Sequence, residues 1–211
     1  MTRASVAALL LLALAQRAEA DCAADADRLR AHLVAAAPGV HRWNLGWALG
    51  FGGAAAVQFT LAVTRTNPFG TFTTDYQETL YAGAIKSTIG MLSRVIQPLH
   101  VSVPPLNADR CADLKALRDR LSSIARKERS TFWLTHLGGI ALNLTSGLIL
   151  WHRRSFEVGA TSFLISFPVG PIAAYTMPRG SWHLWRDESP TWSVAVGLGP
   201  DQATLSLVGQ L

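Results

Sequence analysis

Residues 43–63, WNLGWALGFGGAAAVQFTLAV, decide the fold class. They are 21 consecutive residues without a charge, and about 20 apolar residues in a helix cross the hydrocarbon core of a bilayer. Trp43 and Trp47 stand at one end, where aromatic rings collect at a membrane–water boundary. Gly46, Gly50 and Ala54 recur every fourth residue, a spacing that lets another helix backbone approach. Arg65 and the turn Asn67-Pro68-Phe69-Gly70 close the segment.

The whole composition agrees with a membrane protein. Of 211 residues 49% are apolar and 16% charged, against about a quarter charged in soluble domains. Mean hydropathy is +0.22, and the net charge of +5 goes with a pI near 9.8. The basic residues avoid the long apolar runs and gather in one connecting segment. That arrangement points to lipid headgroups as the counter-charge and away from nucleic acid.

Ahead of the span, residues 1–20 combine Arg3, the apolar run Val6–Ala15 and Ala18-Glu19-Ala20 before Asp21. A charged start, a short apolar stretch and a small-residue cleavage site make a secretory signal peptide. The chain has two cysteines, Cys22 and Cys111. In an exported chain with both outside the cytoplasm they are expected to form one disulfide. Cys22, Ala26, Leu29 and Leu33 share a helical face, as do Cys111, Leu114, Leu117, Leu121 and Ile124. Each cysteine therefore heads the apolar stripe of a candidate helix. The absence of C-x-x-C disfavours thiol exchange.

Periodicity predicts the remaining elements. An amphipathic helix over residues 21–37 is expected to stop at Pro38-Gly39. A second apolar segment covers 80–101, where Lys86, Gly90, Ser93, Arg94 and Gln97 form a polar stripe opposite Ile85, Ile89, Leu92, Ile96 and Leu99. It either spans with that stripe turned into a bundle or lies at the interface. An amphipathic helix over about 107–130 carries seven Lys or Arg against four acids, and spans follow at 132–151 and 156–177, the last kinked at Pro168 and Pro171. Beyond residue 180 the period becomes two: residues 192–198 and 204–211 alternate about the turn Gly199-Pro200-Asp201-Gln202, with Trp182–Arg186 as a candidate third strand. The expected organisation is an all-α membrane protein. A signal peptide (1–20) precedes a helical membrane domain (21–179), a four-helix transmembrane bundle with extracytoplasmic amphipathic helices, and a small C-terminal β-hairpin tail (180–211) follows. The expected location is the bacterial inner membrane with both termini extracytoplasmic. That topology leaves three Lys or Arg in the inner connections (Arg65, Arg153, Arg154) and twelve outside, against the positive-inside rule; the signal peptide and the matched cysteine faces argue for it.

An early Asp-Cys, a Trp-rich first span, a second Cys before a charged helix, Trp133-Leu134-x-His136 opening the third span and Thr176-Met177-Pro178 leaving the fourth follow in order. With its signal peptide, the chain resembles uncharacterised small bacterial polytopic membrane proteins. The resemblance implies the architecture, and it assigns no activity and no functional residue.

Chemistry, if present, falls on Lys86, Arg94, His136 and Asn143. A Lys or Arg at the bilayer centre costs about 2.5–3.5 kcal/mol on insertion scales, so it requires a partner or a purpose. His136 and Asn143 are seven residues apart on one helical face with Gly139 and Gly147 nearby, an arrangement for helix cohesion or for a proton or ligand path. His41, His100 and His136 fall near the outer ends of spans, where imidazoles serve as interfacial residues or as metal ligands. The chain has no G-x-S-x-G, no G-x-x-x-x-G-K-[ST], no H-E-x-x-H and no C-x-x-C-H, so no catalytic residue, metal or cofactor is expected. The function expected is a non-enzymatic, structural or partner-binding envelope protein. Its partners are the lipid bilayer, a protein held through the hairpin edge, and other copies of the chain. The competing expectation is a transporter or channel subunit whose polar path runs along Lys86, Arg94, His136 and Asn143.

Overall fold

The computed structural model describes the backbone of residues 3–105, 109–188, 192–198 and 203–209, and side chains over 21–105, 109 and 111–187. Among the described residues six helices follow one another: α1 (Arg3–Thr64), α2 (Thr74–Ile96), α3 (Arg110–Arg153), α4 (Phe156–Ser166), α5 (Val169–Tyr175) and α6 (Gly180–Glu188). Strands β1 (Trp192–Leu198) and β2 (Ala203–Gly209) pair antiparallel, from Trp192 opposite Gly209 to Leu198 opposite Ala203. The turn expected at 199–202 lies outside the described residues.

Among the described residues, three helices are long and apolar enough to cross a membrane: Asp21–Thr64, Cys111–Arg153 and Phe156–Tyr175. The first two are twice the length a bilayer requires. At 1.5 Å per residue the 44 residues from Asp21 to Thr64 extend about 66 Å, so one rod carries both a bilayer half and a half that projects beyond it. Two boundaries drawn from the sequence are thereby corrected. The helix expected to stop at Pro38 runs through it, with Val40 and Leu33 buried on either side to hold the axis. The charged helix expected over 107–130 and the span expected over 132–151 are one continuous α3, capped by Asp109, which accepts from Cys111 N at 2.9 Å and Ala112 N at 3.1 Å.

The projecting halves build a water-type core. Ala26, Leu29 and Leu33 of α1 join Leu114, Leu117, Leu121 and Ile124 of α3 in one buried cluster, closed by Leu99, Val101 and the Trp182 and Trp185 rings of α6. Here apolar residues point inward and most charges outward, with Asp113 and Glu128 buried. In the bilayer halves the polarity inverts: Leu49 is 66% exposed, Leu134 70% and Leu164 66%, while glycine and small polar residues fill the contacts between helices. A helix that hides leucine in one half and displays it in the other passes between two solvents.

α2 runs antiparallel along the bilayer half of α1. Gly90 lies against the Phe51 ring, Gly52 against Met91, and Gly83 against the Gln58 amide. It ends at Ile96, so the expected 80–101 segment is helical only to that point; residues 97–105 turn back over the projecting core. Gly46 and Gly50, expected to receive a neighbouring helix, have open space around them. The close approaches are elsewhere on α3: Gly139 backs on Gly170 of α5, and Gly147 on Gly159 of α4. The last apolar segment breaks at Phe167-Pro168 into α4 and α5, in line with the expected kink. Trp182–Arg186 is helical within α6 and not a strand, so the unit that packs on the core extends past residue 180.

Opposite the projecting end, Arg65 takes the left-handed conformation (φ 53°) that terminates α1. Asn67 then fixes the turn, accepting from Phe69 N at 3.0 Å and donating to the Thr71 carbonyl at 2.9 Å. Arg154 donates to Glu78 at 2.6 Å and lies 3.4 Å from Asp75, with Arg153 also on Glu78 at 3.3 Å. These pairs tie the end of α3 to the start of α2, and the Arg154 hydrogen bond holds the Glu78 carboxyl below its usual range.

Candidate functional site

Lys86, Asn143 and Arg94 fall in two layers of the bilayer halves. In the deeper one, Lys86 of α2 donates to Ser166 Oγ at 2.9 Å, and Ser166 donates on to the Ser162 carbonyl at 2.8 Å. Asn143 of α3 donates to the Ser166 carbonyl at 3.0 Å. Three helices thus meet on one serine. Lys86 and Asn143 were expected on the polar faces of their helices; Ser166 was not singled out, although Ser162 and Ser166, one turn apart in an apolar run, were the available signal.

Arg94 anchors the second layer, nearer the projecting core. It is only 8% exposed. Its Nη2 donates to Thr135 Oγ1 at 2.9 Å, and the guanidinium lies over the Trp43 ring at 4.3 Å. The Trp43 indole in turn donates to the Ala173 carbonyl at 3.2 Å, and Trp47 to Thr176 Oγ1 at 3.1 Å. The two tryptophans of the opening motif therefore fasten α1 to α5 as well as marking the boundary. Beside them Asn44 clamps the returning segment: its amide donates to the Leu99 carbonyl at 2.7 Å and its carbonyl accepts from Leu99 N at 3.2 Å.

His136 stands apart from all three. Its ring stacks on Phe132 (centroids 6.0 Å apart, planes at 2°) and meets Tyr175 edge-on, with Arg179 over the Phe132 and Tyr175 rings. The four sequence candidates accordingly divide into a Lys86–Asn143 layer, an Arg94 layer and an aromatic cluster around His136. His41 and His100 line a shared cavity next to Arg94, away from the His136 cluster. Among the described residues no three His, Cys, Asp or Glu side chains converge on a point that would hold a metal ion.

A buried acid on the apolar stripe of α3 was also missed. Glu128 is 1% exposed, and its Oε2 accepts from Trp182 N at 2.7 Å, in the first turn of α6. Burial pushes its carboxyl above the usual range, opposed by the Trp182 and Ser181 donors. Position 128 continues the stripe Leu117, Leu121, Ile124 by one turn, and an acid on an apolar stripe was the signal. Cys22 and Cys111, expected to pair, are both half-buried thiols in this structure. No family model matches the chain, and neither a curated protein nor a solved structure matches it.

Proposed function

We propose that the protein is a non-enzymatic integral membrane protein of a bacterial cell envelope. In this reading α1, α2, α3 and the α4–α5 pair cross the bilayer as a four-segment bundle. The projecting helices and the C-terminal strands are extracytoplasmic, residues 1–20 act as the signal peptide, and the strand edge is free to add a partner's strand. The inclusion of α2 is supported by its antiparallel run beside the uncharged half of α1.

One observation carries the non-enzymatic reading. Inside the bilayer halves Lys86 and Asn143 join their helices through Ser166, and Arg94 joins α2 to α3 through Thr135. Groups arranged in this way hold a bundle together. The test is a pair of measurements on the full chain. After carbonate washing the protein stays in the membrane fraction, because helical insertion does not depend on screened charge. Reconstituted in vesicles it passes no more ions or protons than protein-free vesicles. A flux that Lys86→Met abolishes would contradict the proposal and establish a transporter or channel subunit with its path through the Lys86 layer.

A further inference from the structure

A cavity of about 350 Å³ opens at the boundary between the projecting core and the bilayer halves. Val40, His41, Asn44, Leu45 and Ala48 of α1 form one wall, and Arg94, Val95 and residues 98–101 form the other. Its polar end is Arg94. The guanidinium is buried, yet its hydrogen bonds are not complete: Nη2 is used by Thr135, while Nε is buried with no acceptor. Among the described residues no carboxylate pairs with it. A buried cation without an anion is costly, since Thr135 and the Trp43 face offset only part of the lost hydration. His41 and His100, both exposed, stand at the mouth with further nitrogens to offer. The Asn44 clamp on Leu99 holds the wall bearing His100 in place, so the site is built in advance of any ligand.

The remaining wall selects the kind of anion. Leu45 and Val95 are 50% and 62% exposed on the face that meets lipid, and Leu49 continues that face one turn deeper. A ligand with an anionic head and an apolar tail matches both parts of the cavity, whereas a free anion would leave the apolar wall uncovered. We propose that this cavity binds the phosphate of an anionic phospholipid, with Arg94 as the principal contact, His41 and His100 at the mouth, and an acyl chain along Leu45, Leu49 and Val95. The site would fasten one lipid at the level where the rods change solvent, and it stands independently of how the bundle is oriented.

Native mass spectrometry of the detergent-solubilised full chain, offered phosphatidylglycerol or phosphatidylcholine, tests this. The wild-type protein retains one phosphatidylglycerol and releases phosphatidylcholine. Arg94→Gln weakens retention about tenfold or more, as loss of a charge-assisted hydrogen bond does. Ala48→Phe, which fills the cavity and leaves Arg94 intact, has the same effect, so the test survives if the Arg94 variant fails to fold. Equal retention of the two lipids, or phosphatidylglycerol binding unchanged in Ala48→Phe, overturns the proposal. Displacement of the lipid by inorganic phosphate alone, with Ala48→Phe still binding phosphate, would make the ligand a soluble phosphate and also overturn it.

Discussion

Two Gly→Ala substitutions in the same fold should move stability in opposite directions. Gly159 of α4 is buried against α3; a Cβ there would meet the Gly147 carbonyl oxygen and stand 2.7 Å from Trp151 Cβ and 2.8 Å from Trp151 N. Carbon atoms in contact sit about 3.5–4.0 Å apart, so α4 must move outward by roughly 1 Å. The obstacles include backbone atoms, which have no rotamer to change, and the cost therefore belongs at the upper end of overpacking penalties, about 3 kcal/mol. Alanine regains about 1 kcal/mol of helix propensity over glycine. The net expectation for Gly159→Ala is a loss of about 2 kcal/mol. Gly50 has nothing within 4 Å of its virtual Cβ, so Gly50→Ala keeps the propensity gain and stabilises by up to about 1 kcal/mol. Reversible unfolding in mixed micelles, followed by helical circular dichroism, reads both, and the variants should differ by about 3 kcal/mol. If Gly159→Ala is as stable as the parent, the α3–α4 approach is wrong. If Gly50→Ala is the damaging one, the open face of α1 is buried against another copy.

Lys86→Met removes one interhelical hydrogen bond together with a desolvated charge, so unfolding in micelles should change by only about 0.6 kcal/mol, the average for such contacts; a loss of several kcal/mol would mean that the charge itself holds the bundle. With the projecting core outside the cytoplasm, Cys22 and Cys111 are expected to be oxidised in vivo, with Cys22→Ser costing about 2–4 kcal/mol; two alkylated thiols in protein trapped directly from cells would place that core in the cytoplasm. Glu128 has a raised folded pKa, so its contribution is fully present below the unfolded carboxylate pKa and is lost as pH rises through the folded value. Glu128→Gln should accordingly gain on the parent as pH climbs above the ordinary carboxylate value, and parallel unfolding curves over that rise would refute it. Glu78, whose folded pKa is lowered, contributes in the opposite sense: its stabilisation is lost as pH falls through the folded value, so Glu78→Gln should narrow its deficit on acidification.

What was legible in the sequence was local. The two apolar stripes headed by the cysteines, Ala26-Leu29-Leu33 and Leu114-Leu117-Leu121-Ile124, are the buried core of the projecting halves, because helical spacing alone dictates that face. The Asn67–Gly70 turn and the Pro168 break followed from residue chemistry in the same way. The continuity of α1 and α3 was not legible. Pro38 and the charge change near Phe132 read as boundaries, and only packing on both sides of each point keeps the helix going. The glycine contacts were half legible: Gly139 and Gly147, two turns apart, are used, whereas Gly46 and Gly50, one turn apart, face open space. A small-residue stripe announces that a backbone can approach, and nothing in one strand of text says which backbone does. The partners of Lys86 and Arg94 were hidden for the same reason, since Ser166 and Thr135 lie 80 and 41 residues away.

The central claim, that α2 crosses the bilayer and makes a four-segment bundle, is tested most directly by single cysteines placed in a Cys22→Ser, Cys111→Ser background. Phe69 in the α1–α2 turn is 92% exposed, Glu157 opens α4, and Lys127 is exposed on the projecting half of α3. Labelled with a membrane-impermeant maleimide in sealed vesicles of known orientation, Phe69→Cys and Glu157→Cys should react from one side together, and Lys127→Cys from the other. Labelling of Phe69→Cys and Glu157→Cys from opposite sides would contradict it, leaving α2 on the membrane surface and three segments across.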